Sequence, residues 1–134
     1  MPRVSVVMNC LDSERYLREA IDSVYAQTHG DWEIVFVDDG STDGSRQLVE
    51  ATGDPRIRLL SAAPHAGLFG NLNRAVRESR GEWIKVLCQD DILEPACLAK
   101  ADSFLRSHPT VALVYVKRYS IDERTFPNSA SGSA

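Results

Sequence analysis

Val35-Phe36-Val37-Asp38-Asp39-Gly40-Ser41-Thr42-Asp43-Gly44-Ser45 reads as an apolar strand that runs into two adjacent carboxylates, a turn of glycine and short polar residues, and the start of a helix. In an open α/β sheet, ligands bind in crevices outside the carboxyl ends of the parallel strands, where the strand behind each polar side chain holds it still. An acid pair at such a place is a candidate site. The plain alternative is that strand-end residues only cap the helix that follows, as Thr42 and Asp43 are placed to do.

Outward from this stretch the same grammar repeats. Residues 4–8 are continuously apolar and β-branched, the pattern of a central parallel strand covered on both faces. Residues 9–13 supply cap residues, and Tyr16, Leu17, Ala20, Ile21, Val24 and Tyr25 recur at helical spacing to about Gln27. After the second strand, 32–37, the pattern predicts a short helix over 45–51 and an alternating, more peripheral strand over 56–60. A helix follows from near Leu68, with Leu68, Phe69, Leu72, Ala75 and Val76 as its apolar face and Gly81 as its C-terminal cap. The strand 82–88 ends in Gln89-Asp90-Asp91. Glu94-Pro95 opens a helix with Leu98, Ala101, Phe104 and Leu105 turned inward, and residues 111–116 read as a last strand. The predicted fold is α/β, a mostly parallel Rossmann-like sheet with helices on both faces, in which the strands ending at Met8, Val37 and Cys88 are close neighbours. Residues 1–118 form the domain, and 119–134 read as an irregular tail.

Composition narrows the function classes. The chain has 134 residues, 43% of them hydrophobic and 25% charged, which suits one soluble domain. A formal net charge of -4 carries no basic footprint for nucleic acid or an anionic membrane, so any phosphate is held locally. There is no signal-peptide pattern and no apolar run near membrane-spanning length, and the chain reads as cytoplasmic. Cys10, Cys88 and Cys97 are odd in number, lack a C-x-x-C pair and read as small thiols. Neither a G-x-G-x-x-G turn nor a P-loop is present, which argues against a dehydrogenase or a P-loop nucleotidase.

Three strand ends carry polar groups: Asn9 to Asp12, Asp38 with Asp39, and Asp90 with Asp91. If the strands are neighbours, the groups share one edge. Clustered carboxylates repel one another, and a divalent cation relieves that. Oxygen ligands of this kind suit Mg²⁺ or Mn²⁺, whose shell is usually completed by substrate phosphates and water, so the pattern points to a diphosphate substrate.

These residues carry a family resemblance. The run Val4-Ser5-Val6-Val7-Met8-Asn9-Cys10, then Glu14-Arg15-Tyr16-Leu17, Ile21-Asp22-Ser23-Val24, Gln27-Thr28, Trp32-Glu33-Ile34 and Asp38 to Ser45, resembles the amino-terminal half of a family 2 glycosyltransferase. Gly67-Leu68, Asn71-Leu72-Asn73-Arg74-Ala75, Gly81-Glu82-Trp83-Ile84 and Gln89-Asp90-Asp91 continue the match in order, over roughly residues 3 to 116. The resemblance implies the GT-A nucleotide-sugar-binding fold, a UDP-sugar as donor, a Mn²⁺ or Mg²⁺ cofactor, and transfer with inversion to a sugar, polysaccharide or lipid-linked acceptor.

By the same resemblance Asp39 accepts from the uracil N3–H, and Asn9, Cys10 and Leu11 form the wall on which the base rests. Glu14, Asp38, Gly67 and Asn71 join the nucleotide-binding set, Asp90 touches the ribose or sugar, and Asp91 is the metal ligand of the D-x-D signature. The departures are specific. Cys88 stands at the first acid of D-x-D, Leu11-Asp12 replaces an aromatic-Asn pair, and His65 sits where Asn is common. The family's general base lies well downstream of the metal site, and nothing after Val116 matches it; Asp122-Glu123 comes too early, so the chain reads as truncated and without a recognisable base. Two other readings stand beside this one. One is a receiver-like Mg²⁺-binding signalling module, although its acid pair should end the first strand. The other is a catalytically silent nucleotide-sugar-binding fragment.

Overall fold

In the computed structural model, which describes residues 1–61 and 66–121, the side-chain alternation of two central strands sets the layers. β1 (Val4–Cys10) and β2 (Trp32–Asp38) pair in parallel from Val4 opposite Trp32 to Cys10 opposite Asp38. β3 (Ile57–Ser61) pairs with the outer side of β2, and β4 (Trp83–Val86) with the outer side of β1, both in parallel. The order is β3-β2-β1-β4. The strands that lead to Asn9, Asp39 and Asp91 are therefore consecutive, as the sequence predicts.

Helices cover both faces. Val4, Val6, Met8, Ile34 and Phe36 pack with Leu17, Ile21 and Val24 of α1 (Glu14–Tyr25), Val49 of α2 (Ser45–Glu50) and Leu98 of α4 (Cys97–Ser107). On the other face Val7, Val35 and Val37 meet Ala75 and Leu72 of α3 (Gly67–Glu78). With both faces covered, β1 and β2 have no wet side, which is why their sequence is nearly continuous in apolar residues.

Two carboxylates fasten the opposite, amino-terminal edge. Glu33, 5% exposed, accepts from Ser5 Oγ at 2.6 Å, from the Arg80 N–H at 2.8 Å and from Arg58 Nε at 3.1 Å. Burial pushes its carboxyl up, but these bonds outweigh that and hold it below the usual range. Asp102 on α4 accepts from Arg3 Nε, Trp83 Nε1 and Arg106 Nε, and against its burial these donors bring its pKa to about 2. Arg3 also pairs with Glu82.

The structure corrects four expectations. Residues 111–121 form no strand; residues 111–114 run past the open edge of β4 and help line a groove of about 580 Å³ with Trp83, Lys85 and Leu98. An apolar β-branched run becomes a strand only when it finds a ladder to join. Leu68 and Phe69 are 50% and 77% exposed, because the first turn of α3 lies beyond the packed stretch at Ala75; Val76, outside the packed pair Leu72 and Ala75, and Phe104 on α4 are likewise exposed. α4 begins at Cys97, after a turn at Pro95 and Ala96. Gly81 caps no helix: α3 ends at Glu78, and Gly81 instead passes so close to β1 that an added Cβ would lie 2.5 Å from the Ser5 nitrogen. His65, residues 122–134 and most of the loop before α3 lie outside the described residues.

Gly81→Ala therefore has to displace backbone, and not merely a side chain. The expected cost is about 1–3 kcal/mol, the range for overpacking a fixed site. Denaturant unfolding at matched conditions measures it, and unchanged stability would show that the β4 approach is looser than described.

Candidate functional site

At the carboxyl edge, three connections leave neighbouring strands and are bonded to one another. The Asp39 N–H donates to the Cys10 carbonyl at 2.8 Å, which carries the β1–β2 ladder one residue past β2. Asp12 then sits in the left-handed region at φ 49°, a conformation Asp tolerates, and its Oδ1 accepts from the Thr42 N–H at 2.7 Å and the Asp43 N–H at 3.3 Å. Ser41 Oγ accepts from the Asp12 N–H at 3.0 Å. Asp43 takes the Glu14 N–H at 3.1 Å and the Ser45 N–H and Oγ, and the Ser45 hydroxyl above all holds its carboxyl below the usual range. Glu14 returns the favour by accepting from the Gly44 N–H at 3.1 Å. Reciprocal bonds of this kind tie the two loops into one bracket, since parting them gives up several hydrogen bonds at once.

The third connection is held from both sides. Gln89 Oε1 accepts from the Leu11 N–H at 3.2 Å, which joins the Asp90-Asp91 segment to the β1 loop. Farther along, buried Gln27 donates to the Glu94 carbonyl at 2.8 Å and accepts from the Leu98 N–H at 3.0 Å, and Ser23 Oγ accepts from the Leu93 N–H. The segment between β4 and α4 is thereby anchored on α1. Only β1 separates the strands leading to Asp39 and Asp91, so their strand ends lie about 10 Å apart, two strand spacings.

The residues singled out from sequence fall into two groups. Cys10 is fully buried, with its Sγ 3.7 Å from Ser41 Oγ, and Asp38 is 4% exposed and accepts from the Ser41 N–H at 3.2 Å. Both, like Glu14, are engaged in building the bracket, and Gly67 at φ +71° starts α3. Asn9, Leu11, Asp39, Asp90 and Asp91 lie at or beyond the carboxyl ends of β1, β2 and β4, and Asn71 is buried in the second turn of α3. Leu11 is 49% exposed, Asp90 is exposed and Asp91 half-buried. Asp39 Oδ1 and both polar atoms of Asn71 are buried with no hydrogen-bond partner. Gln89, Gln27, Ser41 and Ser45 are working parts that the sequence pattern does not single out; the signal for Gln27, a polar residue ending an otherwise apolar helical stripe, is legible there.

The carboxylates at Asp90 and Asp91 lie near Cys88, whose thiol is pushed up by burial first and then by these two charges. Among the described residues no three His, Cys, Asp or Glu side chains meet as a metal cage. A donor set of one or two carboxylates fits a hard cation that keeps phosphate and water oxygens in its shell; it does not fit an ion held by protein alone.

Comparison with known proteins agrees with this fold. The chain matches the sequence model for "Glycosyl transferase family 2" over residues 5–132. It belongs to that family. The putative glycosyltransferase EpsE of Bacillus subtilis (strain 168) is 32% identical over 125 residues, covering 91% of this chain and 45% of EpsE. The mannosyltransferase PcManGT from Pyrobaculum calidifontis, in complex with GDP-Man and Mn²⁺, superposes at a TM-score of 0.69 with 30% identity over 78% of this chain and 32% of its own. S. aureus TarS 1-349 in complex with UDP-GlcNAc superposes at 0.76 over 93% of this chain and 38% of that one; at 24% identity this is a likeness of fold. The chain thus spans less than half the length of these relatives. Family membership and the shared GT-A fold displace the receiver-like reading, and no helix among the described residues is long and apolar enough to cross a membrane.

The bracket makes a local prediction. Asp12→Gly keeps the positive φ at little steric cost and removes the carboxylate. Amide exchange at 12–14 and 41–43 is expected to quicken roughly fivefold to tenfold, the factor for about 1 kcal/mol of lost hydrogen bonding, while β1 and β2 stay protected. Unchanged exchange in both loops would show that Asp12 does not tie them.

Proposed function

We propose that this chain forms the donor-binding part of a glycosyltransferase that holds a nucleoside-diphosphate sugar, a UDP-sugar by first choice, and presents it for inverting transfer to an acceptor hydroxyl on a sugar, polysaccharide or lipid-linked saccharide. The observation that carries this is Asp39: its Oδ1 is buried without a partner at the edge where the β1 and β4 connections converge. A carboxylate oxygen left unmet in a rigid bracket costs stability, and a ring N–H such as uracil N3–H relieves that cost. In this reading Asn9 and Leu11 form the wall for the base, and Asp90 accepts from a ribose or sugar hydroxyl. Cys10, Glu14, Asp38 and Gly67 serve the nucleotide indirectly, through the backbone they position.

Bound with the donor, a Mn²⁺ or Mg²⁺ ion would supply positive charge to the diphosphate leaving group, and Asp91 is the carboxylate that would hold the ion. The complex of PcManGT with GDP-Man and Mn²⁺ supports a nucleoside-diphosphate donor taken with a divalent cation. Cys88 between the strand and the acids leaves fewer oxygen ligands, so the ion is expected to bind weakly without a diphosphate. No described residue is assigned as general base, and Asp122-Glu123 lies outside the described residues.

Calorimetric titration of UDP with and without Mn²⁺ separates the two roles. Asp39→Ala is expected to weaken UDP about tenfold to a hundredfold under both conditions, the range for a lost charged hydrogen bond. Asp91→Asn is expected to remove the Mn²⁺-dependent gain alone. Parent-like UDP affinity in Asp39→Ala would rule out the base contact, and a retained Mn²⁺ response in Asp91→Asn would rule out the metal contact.

A further inference from the structure

Two cations stand uncommitted on the outer flank of β4. Lys85 lines the groove beside that strand, and Arg118 follows the apolar run that forms the groove's far wall. Neither side chain makes a hydrogen bond or an ion pair among the described residues. A lone solvated cation is ordinary; two of them beside an acid pair, joined to neither acid, need a reason.

The path of the chain carries Arg118 to the carboxyl edge. Asp102 ties the middle of α4 to Arg3 and Trp83 at the amino-terminal edge, and the helix ends at Ser107. After a turn at Pro109, residues 111–116 pass along the groove beside β4. Val114 and Val116 line it, while Tyr115 between them is 88% exposed, so alternate side chains turn inward. The same alternation turns Arg118 inward, and Lys117 points elsewhere, its Nζ 5.1 Å from the centre of the Tyr119 ring. Both uncommitted cations act on one thiol past the end of β4. Burial first, then the Asp91 and Asp90 charges, push the Cys88 thiol up, and Arg118 and Lys85 oppose them. Lys85 also opposes the burial that raises Cys97. Two positive side chains thus flank the acid pair on its outer side, away from β1.

Along the carboxyl edge the order is β2, β1, β4 and then this run. With the base at Asp39 and the diphosphate at Asp91, the next unit outward is the sugar. A neutral hexose has no use for two free cations, and the diphosphate has the ion to meet it. We propose, resting on the nucleotide-sugar reading above, that Arg118 and Lys85 select a donor whose sugar carries a carboxylate, a uronic acid. The planar Arg118 guanidinium matches a carboxylate through two parallel N–H···O bonds, and the Lys85 ammonium adds a second charge. Both charges are needed there, because Asp90 alone would repel an anionic sugar.

The test is a set of calorimetric titrations of the 134-residue chain with Mn²⁺ present. UDP-glucuronate is set against UDP-glucose, and UDP-galacturonate against UDP-galactose, so that within a pair only the group on C6 differs. In at least one pair the uronate is expected to bind about tenfold more tightly, the factor for one charged hydrogen-bonded contact. Arg118→Gln is expected to remove most of that ratio, Lys85→Gln to narrow it, and Arg118→Lys, which keeps the charge without the fork, to retain part of it. Damage to the fold would weaken both members of a pair together and leave the ratio unchanged. One common affinity within each pair, or a ratio that survives Arg118→Gln, would overturn the uronate site, and UDP binding would keep the donor-binding reading standing. Arg118→Gln weakening plain UDP as much as the uronate would move Arg118 to the diphosphate and overturn the sugar assignment. A parent that binds neither UDP nor any of the four sugar nucleotides would overturn the donor-binding reading as well.

Discussion

The register in which β1 is zipped against β2 governs the carboxyl edge of the sheet. Cys10 lies opposite Asp38, and the Asp39 N–H closes on the Cys10 carbonyl, so the two loops leave the sheet at the same level and can bond to each other. A slip of one residue would turn Asp39 from the face under α3 to the face under α1, and would move Asp12 away from the Thr42 and Asp43 amides. The register is protected by the core on both sides: Phe36 and Met8 fill one layer and Val35 and Val37 the other, all of them fully buried. Packing of these strands is thus the cause of the site's geometry, although none of these apolar residues touches it.

The two edges of the sheet use polar groups in opposite ways. At the amino-terminal edge Glu33 and Asp102 have their lone pairs met by Ser5, Arg58, Arg80, Arg3, Trp83 and Arg106, so burial there is compensated and the edge is fastened. At the carboxyl edge Asp12, Asp38 and Asp43 are satisfied within the bracket, whereas Asp39 Oδ1 and the Asn71 amide are not. Unmet buried polar groups are uncommon in native structures and each calls for an explanation; Glu19 Oε2 on α1 and His29 Nε2 before β2 are unmet as well. The contrast separates carboxylates whose hydrogen bonds are met from Asp39, whose Oδ1 is not.

Much of this was legible in the sequence because its causes are local. Apolar, β-branched-rich runs at 4–8 and 34–37 marked the central strands, and the acids directly after Val37 marked the carboxyl edge as a candidate site. What was not legible depended on distant partners. Residues 111–116 have the composition of a strand, yet strand formation needs a free ladder and an aligned approach, and here the run passes β4 without pairing. Helical spacing gave the face of α3 correctly at Ala75 and Leu72 but could not show that its first turn overhangs the packed stretch, which leaves Leu68 and Phe69 exposed. Gly81 looked like a helix cap because a glycine after a helix usually is one; its real constraint is the Ser5 backbone, far away in sequence. The acid pairs likewise concealed a division of labour, for Asp38 builds the turn while its neighbour Asp39 keeps an oxygen free.

The central claim is that the connections after β1, β2 and β4 form one nucleotide-binding edge. Amide chemical-shift mapping of the 134-residue chain during a UDP titration with Mg²⁺ as the diamagnetic ion tests it most directly. The account predicts that Leu11, Asp39, Gly40, Ser41, Asn71 and Asp91 shift together along one saturating curve, with Ser5, Glu33 and Trp83 at the opposite edge unmoved. Saturable shifts confined to the opposite edge or to the groove beside β4, with the Asp39 and Asp91 amides still, would contradict it.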